Sequence, residues 1–148
     1  MERFRHVAAE EARAVADRAA QMLARDTRVQ LVYLFGSAAD SGRKLTRDVD
    51  LAVLTNPALS LDDLMRLRAD VVVAAGAPVD LVSLNDAPTV LAHEVAASGK
   101  CLYARDPDVE TAFVTRAHAR YWDFKPFLEE QWRLTGERLE ERRRGFQT

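Results

Sequence analysis

The run VQLVYLF, residues 29–35, narrows the folds open to this chain more than any other segment. It is short, β-branched and aromatic, and apolar on both faces, as a strand in the middle of a sheet is. Its neighbours fit that place. Residues 2–25 set Phe4, Ala8, Ala12, Val15, Ala19 and Leu23 at three-to-four spacing, which predicts an amphipathic helix. DVDLAVL (48–54) predicts a second strand, closed by Thr55-Asn56-Pro57. Ser60 with Asp63 resembles a capping box, opening a helix that carries Leu61, Leu64, Met65, Val71, Val72 and Ala75 and ends near Gly76. Pro78 launches PVDLVSL as a third strand, a short helix runs from about Pro88 to Gly99, and KCLYA is a fourth, edge strand. Asp106-Pro107 starts a further helix. A break is expected around Asp123–Pro126, then a last helix with Phe124, Leu128, Trp132, Thr135 and Leu139 on one stripe, and a frayed tail EERRRGFQT.

The pattern is α/β (α+β): a mixed sheet of about four strands flanked by helices. A core over 1–106 carries a C-terminal helical extension, 107–148, on the same domain. A length of 148 residues suits one domain, and 48% apolar with 30% charged residues is ordinary soluble composition. With 21 basic against 23 acidic side chains the net charge is −2, which argues against stable direct nucleic-acid binding. The single Cys101 excludes an internal disulfide. Stretches such as LVYLF and DLAVL fall far short of the roughly 20 apolar residues of a membrane span. The N-terminal segment lacks the apolar run of a signal peptide, so a cytoplasmic protein is expected.

Chemistry concentrates between the first two strands. Gly36-Ser37 stops the first strand, and residues 37–47 are expected to form a brief helical turn and a loop. Asp48 and Asp50, two apart on a strand, point to one face, and Asp80 opens DLV on the third strand as Asp50 opens DLAV on the second. If those strands pair, three carboxylates converge at one end of the sheet. An all-oxygen cluster without histidine or cysteine favours Mg²⁺ or Mn²⁺, and paired ions are the usual device for in-line attack on phosphorus. Gly36 lets the backbone approach a phosphate, Ser37 adds a hydroxyl donor, and Arg43, Lys44 and Arg47 lie where they could neutralise a triphosphate.

Gly36-Ser37, ten residues, then Asp48-Val49-Asp50 resembles the GS-x10-D-x-D signature of the DNA polymerase β-like nucleotidyltransferase superfamily. The resemblance implies that Asp48 and Asp50 hold two Mg²⁺ ions. It also implies that Asp80 completes the site and takes the proton of the attacking hydroxyl, and that Gly36 and Ser37 seat ATP. The small size, the leading helix and the segment RYWDFKPFLEE are similar to the MntA-type minimal nucleotidyltransferase antitoxins. Those are partners of HEPN-family (HepT-like) ribonuclease toxins. That likeness implies AMP transfer from ATP to a tyrosine hydroxyl of the toxin, whose added charge and bulk would block RNA binding.

Two rival readings stand beside it: an antitoxin that works by occlusion through its C-terminal helices, and a transferase acting on an aminoglycoside-like small molecule. His6, His93 and His118 lack a mutual spacing that suits a metal, and read as surface or core histidines. Cys101 reads as a small apolar strand residue. Tyr103, Phe113, Tyr121, Trp122, Phe124, Phe127 and Trp132 crowd the last third of the chain. Most should pack helices onto the sheet, with some available for docking a partner.

Overall fold

The computed structural model describes residues 2–36 and 49–145, with the side chains of 2–9 left aside. Its elements are α1 (Glu2–Ala24), β1 (Val29–Phe35), β2 (Val49–Thr55), α2 (Leu61–Ala75), β3 (Val79–Ser83), α3 (Thr89–Ser98), β4 (Lys100–Ala104) and α4 (Pro107–Gly145). The strands form one mixed sheet in the order β3-β2-β1-β4, so VQLVYLF is central and KCLYA is an edge. β1 runs antiparallel to both β2 and β4, whereas β2 and β3 are parallel.

Each face of the sheet is covered, which explains why β1 carries apolar residues on both faces. On one face α1 contributes Val15, Ala16, Ala19 and Leu23, and α2 contributes Leu67, Val71 and Ala75. These pack on Val32, Leu34, Val49, Leu51, Val53, Val79 and Leu81. On the other, Val95 of α3 and Val109 and Phe113 of α4 pack on Leu31, Tyr33 and Ala52. Residues of β2 therefore alternate: Val49, Leu51 and Val53 face α1 and α2, and Asp50 stands on the opposite side with Ala52.

Local chemistry sets the boundaries. The Ser60 hydroxyl accepts the Asp63 N–H at 3.1 Å and caps α2. Gly76, at φ +71°, ends it with its N–H on the Val72 carbonyl. Arg18 of α1 donates to the Ala75 carbonyl through Nε and Nη2 at 3.1 and 2.9 Å, satisfying the same helix end. Asn85 ties the far ends of β2 and β3 together, accepting the Thr55 N–H at 3.0 Å and donating to the Thr55 carbonyl at 2.8 Å.

Two expectations are corrected. No break interrupts 123–126: α4 is one helix of 39 residues with Pro126 inside it. Proline removes the donor for the Trp122 carbonyl, but that turn faces water, which can take the orphaned group. Pairs one turn apart support the helix around it: Lys125 with Glu129 at 3.8 Å, and Arg133 with Glu130 and Glu137 at 2.6 Å each. Nor does the tail fray at EERRRG, which stays helical to Gly145. Arg142, Arg143 and Arg144 in its last turn suit the negative end of the helix dipole.

Candidate active site

β1 delivers Gly36 beside β2. Phe35 lies opposite Asp50 in the antiparallel register, so the residue that follows Phe35 passes next to that carboxylate. Gly36 takes φ +73°, and a Cβ built on it would lie 2.6 Å from Asp50 Oδ2. The glycine is thus required twice, once for its left-handed backbone and once for the space the carboxylate occupies.

β3 delivers the second acid. Asp50 and Asp80 are register partners in the parallel pair β2–β3, and both alternate with residues buried against α1 and α2. Their side chains therefore stand on the same face, on strands spaced about 4.8 Å apart. Asp80 is half-exposed and Asp50 partly buried. Ser37, Asp48, Arg43, Lys44 and Arg47, and the turn and loop expected over 37–47, lie outside the described residues. Of the expected site residues, Gly36, Asp50 and Asp80 are therefore brought together here.

Arg68 of α2 joins them, a residue that reads in the sequence as one more helix-surface charge. It reaches over the outer edge of β3, donating through Nε to the Val79 carbonyl at 3.0 Å and through Nη2 to Asp80 Oδ1 at 2.7 Å. Only the rotational phase of α2 against β3 could have singled it out.

The donor chemistry fits a hard divalent cation. Adjacent carboxylates on one face, with a glycine leaving the approach clear, supply oxygen ligands alone. Among the described residues no group of three or more His, Cys, Asp or Glu side chains could hold a metal, so a full site here needs a contribution from outside them.

A second polar cluster sits between α3 and α4. His93 Nδ1 and His118 Nδ1 are 3.0 Å apart, and His93 stacks on Tyr121 with ring centroids 3.7 Å apart. Burial first, then the charge of His118, pulls the His93 imidazole below its ordinary range. The two histidines are related after all, through helix packing that their spacing of 25 residues does not reveal. On the α4 side of the sheet, the Tyr33 hydroxyl donates to Glu110 at 3.3 Å. Burial together with the charges of Cys101 and Glu110 pushes its ionisation far above the ordinary tyrosine range.

Known proteins resemble this chain in sequence and in fold. The profile of the family described as Polymerase beta, Nucleotidyltransferase matches residues 18–108. Over 85 residues the chain is 39% identical to Protein adenylyltransferase MntA of Shewanella oneidensis, covering 56% of this chain and 60% of that protein. The chain thus spans about three-fifths of the length of the curated relative it matches. Among solved structures it is similar to a chain of a toxin–antitoxin complex with AMP-PNP, at TM-score 0.66 and 26% identity, covering 78% of this chain and 98% of that one. The same figures hold for an MntA–HpeT complex with two aspartates, two residues apart, changed to glutamate. A structure of tri-AMPylated Shewanella oneidensis HEPN toxin in complex with MNT antitoxin matches at TM-score 0.62 and 25% identity, over 79% of this chain and 96% of that one. Among the described residues, no helix is long and apolar enough to cross a membrane.

Proposed function

The chain belongs to the polymerase β nucleotidyltransferase family, and on that premise we propose that it is a protein adenylyltransferase and antitoxin of a HEPN/MNT module. The acceptor we assign is a tyrosine hydroxyl of a HepT-like ribonuclease toxin, and the AMP donor is ATP. One observation carries the reading: Asp50 and Asp80 stand in register on one face beside Gly36, in a fold shared with MntA–HepT complexes. The neighbours with AMP-PNP, with an AMPylated toxin and with a substituted aspartate pair support it.

In this reading Asp48, Asp50 and Asp80 would hold Mg²⁺, and Gly36 and Ser37 would seat the triphosphate. Bound there, Mg²⁺ would supply charge neutralisation for the triphosphate. The toxin hydroxyl oxygen attacks the α-phosphorus, an O–P bond forms, and the bond to the β-phosphate oxygen breaks to release pyrophosphate. Asp80 takes the hydroxyl proton. The chain contributes position and charge and forms no covalent intermediate of its own. The reaction belongs in the cytoplasm, where ATP and an RNA-cleaving partner meet.

Incubation with α-labelled ATP, Mg²⁺ and the HepT-like partner tests the assignment. Label should pass to the toxin and toxin ribonuclease activity should fall. Equal labelling by Asp48→Asn plus Asp50→Asn would overturn it. The rival reading, occlusion by the C-terminal helix, draws on Trp122, Phe127, Trp132 and Leu139, each more than half exposed along α4. Truncation from Asp123 distinguishes the two, since an occluding antitoxin then loses neutralisation while a pure transferase keeps labelling.

A further inference from the structure

We infer that Arg68 is the positioning residue for Asp80, a conclusion that rests on the metal-site reading of Asp80 given above. The guanidinium is held at two points that belong to the same strand. Its Nε–H is spent on the Val79 carbonyl and its Nη2–H on Asp80 Oδ1, at 3.0 and 2.7 Å. A planar fork anchored on the backbone cannot swing with the carboxylate; it fixes the carboxylate to the backbone instead. Asp80 is half-exposed on an edge strand, so packing alone leaves its side chain several rotamers. The clamp selects one. With Oδ1 committed to Arg68, Oδ2 remains for the cation and the acceptor hydroxyl on the face shared with Asp50.

A contact of this kind has a recognisable signature. Arg68 touches neither nucleotide nor phosphate in this assignment, so its loss should weaken what Asp80 does and spare what Asp50 and Gly36 do. A lysine at the same place keeps the charge but has no planar fork, and can reach the carbonyl or the carboxylate but not hold both in one orientation.

Mn²⁺ titration in the presence of AMP-PNP, alongside steady-state AMP transfer, reads this out. Arg68→Met should weaken Mn²⁺ binding about tenfold and lower kcat about tenfold or more, with KM for ATP within about twofold. Arg68→Lys should recover part of both losses, and serves if the methionine variant does not fold. In an Asp80→Asn background, Arg68→Met should change Mn²⁺ affinity no further, because its target is gone. Unchanged Mn²⁺ affinity and kcat in Arg68→Met would overturn the inference, as would a full loss of affinity that persists in the Asp80→Asn background. If wild type neither binds Mn²⁺ nor transfers AMP, the metal-site reading falls and this inference with it. If wild type does both and the Arg68 variants match it, the inference about Arg68 alone is refuted.

Discussion

Gly36→Ala puts a methyl group into space that the Asp50 carboxylate fills. The built Cβ lies 2.6 Å from Oδ2, about 0.8 Å inside the 3.4 Å at which ordinary contact begins. Two effects follow, and a second glycine separates them. Gly76 has nearly the same left-handed backbone, φ +71° against +73°, yet nothing lies within 4 Å of its Cβ position. Alanine at either site forces an L-residue into the left-handed region, at about 1–2 kcal/mol. Only at position 36 must a carboxylate also move by most of an ångström, that of Asp50, to which the proposal gives the cation, and a misplacement of about 1 Å can lower a rate about 100-fold. Urea unfolding should therefore show both variants destabilised by about 1–2 kcal/mol. Labelled AMP transfer should fall about 100-fold in Gly36→Ala and stay within about twofold of wild type in Gly76→Ala. If both variants transferred label equally well, close packing of Gly36 against Asp50 would have no part in the chemistry.

Asn85→Ala should cost about 2–4 kcal/mol by urea unfolding, because it strands the N–H and C=O of Thr55, which is 4% exposed; a loss below about 0.5 kcal/mol would mean that this tie is not needed. The His93 imidazole, depressed by burial and by His118, makes the unfolded chain bind more protons below neutrality. Stability is then complete above the unfolded histidine value of about 6.5 and declines as pH falls through the lower folded value. His93→Phe, which keeps the stacking surface for Tyr121, should flatten the change in urea midpoint between about pH 7.5 and 5.5; an unaltered slope would exonerate the histidine. Pro126→Ala restores a donor to the Trp122 carbonyl and should slow amide exchange around residues 126–130. The overall urea midpoint should hardly move, since the core contacts of α4 come from Val109, Phe113 and Ala117.

The parts of this fold that short-range patterns determine were legible in the residues themselves. VQLVYLF is central because it is apolar on both faces, and KCLYA is an edge. Ser60 and Gly76 bound α2 through the side-chain oxygen and the missing Cβ that caps require. The convergence of Asp50 with Asp80 followed from strand pairing, since each opens an aliphatic run at the same phase. Long-range geometry was less accessible. Arg68 meets Asp80 because of how α2 rotates over the outer strand of the sheet, and His93 meets His118 because two helices pack side by side. Pro126 misled for a different reason. The rule against internal proline assumes an orphaned carbonyl with no partner, but on an exposed helix that carbonyl is open to solvent and neighbouring ion pairs hold the turn.

The central claim is that a divalent cation and ATP meet where β1 and β2 bring Gly36 against Asp50, next to Asp80. Crystals grown with Mn²⁺ and AMP-PNP, measured at a wavelength where manganese scatters anomalously, examine it directly. An anomalous peak within coordination distance, about 2.1 Å, of Asp50 and Asp80 oxygens, with the triphosphate lying along Gly36, is the expected result. A nucleotide bound elsewhere, or no manganese peak at these two carboxylates, would contradict it.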